Sequence, residues 1–100
     1  MKHIQSYENI EYSDYKKFAI WKNHNDTLLI IKTVLEEKDK LTIKTLYIYN
    51  KKTQQLEPTK VNNNIFYKIY VKPYIIYMSN KLIDCKNKIN LITTSNKYNI

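Results

Sequence analysis

The sequence predicts a mainly β protein, an antiparallel meander of about five to seven strands curled into a barrel-like form or a sandwich. Three observations carry that expectation. Short runs rich in Ile, Tyr and Thr alternate with clusters of Asn, Asp and Lys, the pattern of strands and their turns. Glycine is absent, so tight turns fall to Asn and Asp, the other residues that tolerate a left-handed backbone. The chain of 100 residues is 43% apolar and 26% charged, which suffices for one core and one domain, 1–100, and argues against disorder.

Each element follows from local pattern. Over residues 1–17, Ile4, Tyr7 and Glu11 lie at helical spacing while Asn9 to Tyr12 alternates like a strand; one short N-terminal helix there would make the fold α+β. Phe18 to Lys22 reads as a strand, closed by Asn23-His24-Asn25-Asp26 as a hairpin turn. Thr27 to Leu35 contains Leu28-Leu29-Ile30-Ile31, apolar on both strand faces, as expected of a central strand covered on each side. Glu36 to Lys40 reads as an exposed turn, and Leu41 to Tyr49 as the next strand.

Asn50 to Asn64, polar and interrupted by Leu56-Glu57 and Pro58, is the longest loop or a hairpin arm with a flexible end. Ile65 to Val71 and Tyr74 to Met78 resume the β pattern on either side of Lys72-Pro73, where proline marks an edge, bulge or corner. Leu82 to Asp84 and Ile89 to Thr94, flanking Cys85-Lys86-Asn87-Lys88, read as a last hairpin. The expected core includes Leu29, Ile31, Ile43, Ile69 and Val71.

Composition bounds the setting. All 17 basic residues are lysine, and Asn, Ile and Tyr crowd the chain. These are residues with A/T-only codons, which points to an AT-rich genome such as that of a virus, a mobile element or a low-GC bacterium. The formal charge of +8 is then partly mutational in origin, although its field is physically real. Residues 1–40 carry seven Lys and seven acids, whereas residues 41–100 carry ten Lys against Glu57 and Asp84, so the second half supplies the whole excess. The acidic segment of Glu8, Glu11 and Asp14 is expected to lie against that basic half.

Cys85 is the one cysteine, which rules out an intramolecular disulfide and favours a reducing compartment. No secretory apolar stretch opens the chain, and its longest apolar run, the five residues Tyr74–Met78, falls far short of the roughly 18 needed to span a membrane. The expectation is a cytoplasmic protein, in the host cell if the source is viral, with no membrane partner.

Several chemistries are excluded. Phosphate-cradling loops, dinucleotide fingerprints and the nucleophile elbow all require glycine. One cysteine and two histidines do not supply a zinc set. His3 and His24 read as surface histidines, Cys85 as a packed thiol, and Glu36, Glu37 and Asp39 as a solvated turn with interleaved Lys38 and Lys40. The reading is therefore non-enzymatic, with no cofactor, metal or catalytic residue.

The most informative stretch is Phe66 to Lys72. Strand alternation would send Phe66, Lys68, Tyr70 and Lys72 to one basic, aromatic face and Tyr67, Ile69 and Val71 to the core. Such a face suits a protein partner, because Tyr offers contact area at low entropic cost. It also holds the ingredients of a single-strand nucleic-acid binder, rings for stacking and ammoniums for phosphate. Without arginine, base-specific duplex readout is not expected.

The expected function is a small protein-binding module, an accessory or inhibitor protein that docks on a larger protein or protein–nucleic acid complex through Phe66, Lys68, Tyr70 and Lys72. Two alternatives stay open, a non-specific single-stranded nucleic-acid binder using the lysine-rich second half and a small subunit of a large ribonucleoprotein or organellar assembly. Self-association into a homodimer also stays open.

Overall fold

The structure, a computed structural model, describes residues 17–60 and 62–98. The N-terminal segment, with its expected helix and acidic cluster, lies outside the described residues. Six strands form one antiparallel sheet: β1 (Phe18–Lys22), β2 (Leu28–Glu36), β3 (Lys40–Asn50), β4 (Gln55–Pro58), β5 (Asn63–Tyr67) and β6 (Ile75–Ser79). A helix, α1 (Leu82–Tyr98), closes the described chain. The sheet runs β4-β3-β2-β1-β6, and β5 pairs with β3 beside β4. β3 is long enough to serve both edge strands, β5 along Lys40 to Lys44 and β4 along Tyr47 to Asn50.

The hairpins manage without glycine. At the β1–β2 turn the Asn23 side-chain oxygen accepts the backbone N–H of Asn25 and of Thr27, both at 3.0 Å, and Asp26 takes the left-handed conformation at φ 63°. The β3–β4 turn repeats the device: Asn50 accepts from the backbone of Lys52 and Thr53, and Gln54 sits at φ 59°. Asn23 and Asn50 thus brace the turns by accepting backbone N–H groups, while Asp26 and Gln54 take the left-handed positions where glycine is usual. Residues 50–64 are accordingly a hairpin arm, since β4 lies within them.

β2 is the central strand and is apolar on both faces. Leu29 and Ile31 join Ala19, Trp21, Leu41, Ile43 and Val71 in one cluster; Leu28 and Ile30 join Ile20, Tyr49, Cys85 and Ile89 in the other. Helix α1 covers the second face with Leu82, Cys85, Ile89 and Ile92, whose spacing places them on one helical side. The expected hairpin over Leu82–Asp84 and Ile89–Thr94 is therefore corrected to a helix. Cys85-Lys86-Asn87-Lys88 resembles a turn in composition, but within a helix only Cys85 need face inward. Lys86 and Lys88 flank the seam, their ammoniums over the Tyr47 and Tyr77 rings at 4.2 and 5.5 Å. At the helix start the Ser79 hydroxyl donates to Asp84 at 2.6 Å and accepts the Lys81 N–H.

The opposite face is covered by the β5–β6 connection, and here the structure departs from the expected strand over Ile65–Val71. Pairing of β5 ends at Tyr67, opposite Lys40, the first residue of β3. One further backbone bond, from the Lys68 N–H to the Asp39 carbonyl at 2.9 Å, follows the ladder; past it the chain leaves β3, and Lys68–Tyr70 and Lys72–Tyr74 form two 3₁₀ turns, the second with Pro73 in its first positions. This strap crosses from the β5 edge to the β6 edge. The strict alternation of residues 66–72 is lost: Val71 is fully buried as expected, but Tyr67 and Ile69, expected on the core face, are 51% and 68% exposed. Among the described residues, no helix is long and apolar enough to cross a membrane.

Truncation should separate these positions. Ile31→Ala and Ile43→Ala should each cost about 2–5 kcal/mol in urea denaturation, whereas Ile69→Ala should stay within about 0.5 kcal/mol of the wild type. A loss at Ile69 equal to that at Ile31 would contradict the strap's orientation.

Candidate functional site: an aromatic cleft under the strap

The strap covers only part of its sheet face. Beside Val71 a cleft of about 690 Å³ stays open, and four rings line it: Trp21 from β1, Phe66 from β5, and Tyr70 and Tyr74 from the strap. Leu29 and Thr45 contribute from β2 and β3, and Asn23 and His24 from the β1–β2 turn. Among the described residues, the lining contains no carboxylate and no ammonium.

The rings are held in place. Trp21 is 5% exposed, and its indole Nε1–H donates to the carbonyl oxygen of Tyr70 at 3.1 Å, joining the sheet to the strap. Phe66 meets Trp21 edge to face, with centroids 5.2 Å apart and planes at 68°, the preferred quadrupolar geometry. Tyr70 in turn meets Tyr67 at 6.3 Å and 72°. These contacts fix the side chains before any partner arrives, which limits the entropy lost on binding.

An ion cluster clips the strap at its β5 side. Phe66, Leu41 and Glu36 stand in one row across β5, β3 and β2, and the Glu36 carboxylate receives the ammoniums of Lys68 at 2.8 Å and Lys72 at 3.0 Å. The Glu36 side chain is 8% exposed, so the expectation of a solvated turn residue is corrected for Glu36, while Glu37 and Asp39 are exposed. Burial pushes the Glu36 carboxyl up, and hydrogen bonds from Lys68 and Lys72 outweigh it, leaving the pKa below its ordinary 4.5.

The four residues singled out in the sequence thus divide. Phe66 and Tyr70 line the cleft; Lys68 and Lys72 neighbour Tyr70 in the strap but point to Glu36. Trp21, Tyr74 and His24 complete the lining. Their signals in the sequence were a single tryptophan beside a turn and a tyrosine directly after proline. Cys85 is fully buried, and burial first, then the Asp84 charge, pushes its thiol up to about 11. Among the described residues, no three His, Cys, Asp or Glu side chains gather as a metal site. Comparison with protein-family models, with curated proteins and with solved structures finds no match.

Two outcomes follow. Because Glu36 binds protons less readily in the folded state, its stabilising contribution is complete above about pH 4.5 and is lost as pH falls through the lower folded value. Glu36→Gln should therefore cost about 1–3 kcal/mol at neutral pH and flatten that part of the acid limb; equal stabilities of the two proteins at neutral pH would show that the clip holds nothing. The Cys85 thiol should resist a thiol-reactive disulfide reagent at mildly alkaline pH until urea unfolds the protein. Rapid modification of the native protein would contradict its burial.

Proposed function

We propose that this chain is a small non-enzymatic binding module that docks on a larger protein through the strap and the cleft beside it. One observation carries the reading. Tyr67, Ile69, Tyr70 and Tyr74, all within eight residues of one another, are each more than half exposed in or beside the strap that borders a preformed aromatic cleft. A group of large apolar side chains held in the open is the raw material of a protein interface. The setting that the composition suggests is an accessory or inhibitory role in the cytoplasm of a cell or virus-infected host with AT-rich coding.

Single-stranded nucleic acid is less well served. The rings converge edge to face on one cleft and do not present successive faces for base stacking. Lys68 and Lys72 already share the Glu36 carboxylate, which repels an incoming phosphate.

Affinity capture with the full chain as bait, with and without nuclease treatment, tests the reading. Capture of one protein at fixed stoichiometry should survive nuclease, and Tyr70→Ala should weaken the purified complex by about 2 kcal/mol or more, as expected of an interface hot spot. Capture that disappears with nuclease, or oligonucleotide binding that falls steeply with salt, would transfer the site to nucleic acid.

A further inference from the structure

We infer that the cleft is the receptor for an uncharged aromatic side chain carried on an exposed segment of the partner protein. This rests on the protein-docking reading and names the group that its site takes.

Charge decides the chemical class first. Within a chain of formal charge +8 the described lining of the cleft holds no carboxylate and no ammonium. An ionised occupant would leave water without a countercharge, a cost that a neutral ring avoids. A cation, which aromatic rings alone attract, is opposed here by the chain's formal charge of +8, and the carboxylate in the neighbouring row, that of Glu36, already holds two ammoniums.

The lining also favours aromatic over aliphatic occupants. Trp21 is buried with its indole N–H committed to Tyr70 and backs the cleft as apolar surface, while Phe66, Tyr70 and Tyr74 supply edges and faces for T-shaped or offset contacts. Polar groups are few, from Asn23, His24 and Thr45, as in sites where orientation is set by one or two hydrogen bonds within an apolar cavity.

Size and surroundings identify the carrier. A cleft of about 690 Å³ lies within the range of small-molecule sites, but the apolar surface does not end at its rim. Tyr67 stacks edge to face on the outer side of Tyr70, and Ile69 beside it is the most exposed of the strap's large side chains. A small solute in the cleft would leave both in water. A polypeptide whose aromatic residue enters the cleft would cover them with its flanking residues. A second copy of this chain is opposed by the repulsion between two molecules of charge +8.

The chain carries its own reporter, since its one tryptophan yields a single indole N–H resonance. The full-length protein labelled with nitrogen-15 would be titrated with N-acetyl-phenylalaninamide and N-acetyl-tyrosinamide. Parallel titrations would use N-acetyl-leucinamide, phenylacetate and phenethyl-trimethylammonium.

The neutral aromatic amides should shift the Trp21 indole and the Tyr70 and Tyr74 amide resonances saturably, with millimolar Kd. The aliphatic amide and both ions should bind at least about tenfold more weakly, the factor that corresponds to 1.4 kcal/mol. Tyr74→Ala, an exposed position, should abolish the shifts with the fold retained and should weaken the captured partner complex by tenfold or more.

Shifts that favour the cation, that ignore charge, or that fall outside the cleft would overturn the proposal. A partner complex unchanged by Tyr74→Ala would overturn the anchor while leaving docking in place. Saturable amide binding with no protein partner captured would overturn the docking reading and reassign the cleft to a free aromatic solute. A concentration-dependent dimer lost in Tyr74→Ala would reassign it to a second copy.

Discussion

A strand with apolar side chains on both sides cannot rest at a surface, and β2 imposes that constraint on the whole molecule. Leu28 and Ile30 face one way, Leu29 and Ile31 the other, and all four are buried. Leaving either pair in water would forfeit about 1.5–3 kcal/mol for each side chain. Both faces of the sheet must therefore be covered, and among the described residues two segments do so. Helix α1 takes one face and the β5–β6 connection takes the other. The order of strands follows from the same need, because central placement of β2 shields its backbone with β1 and β3.

The strap meets that demand with a minimum of regular structure, so it depends on its fastenings. Val71 is its buried plug, the Tyr70 carbonyl takes the Trp21 indole proton, and Lys68 and Lys72 close on Glu36 from two successive 3₁₀ turns. A 3₁₀ turn has three residues per revolution, which aligns Tyr67 with Tyr70 on the outer side. While Lys68 and Lys72, one from each turn, reach Glu36, Ile69, Tyr70 and Tyr74 stay more than half exposed. Lysines that the composition would assign to a general polyanion surface serve here as struts.

Much of the first half was legible because its information is local. β1, β2 and β3, their Asn-centred turns and the two-sided burial of β2 follow from residues within a few positions of one another. Failures occur where a distant partner decides. Nothing within Phe66 to Lys72 reveals that β3 begins at Lys40, yet the end of that pairing edge converts an alternating pattern into turns, exposing Ile69 and aiming Lys68 at Glu36. Likewise Leu82 to Thr94 holds short apolar runs around a polar cluster, compatible with a hairpin or with an amphipathic helix. The exposed sheet face that needed covering settled the matter. The site was half legible for the same reason: Phe66 and Tyr70 announce themselves as a local aromatic pair, whereas Trp21 and Tyr74 meet through the non-local pairing of β1 with β6.

The cleft is a consequence of covering two equal faces with unequal lids. Helix α1 sends Leu82, Cys85, Ile89 and Ile92 into its face and seals it, whereas the strap sends in Val71 alone, with Tyr70 and Tyr74 standing at the margin. A second helix would bury more apolar surface and would stabilise the monomer further. Where the described residues leave that area uncovered, the fold retains, at roughly 25 cal/mol per Å² of apolar surface, free energy that is realised when a partner covers it. Rigid rings bordered by anchored backbone keep this reserve from being spent on collapse of the cleft, because Trp21 cannot rotate away without losing its bond to Tyr70 and Phe66 cannot follow without losing its edge contact with Trp21. The fastening that compensates for a narrow lid is thus the same feature that keeps the binding surface open.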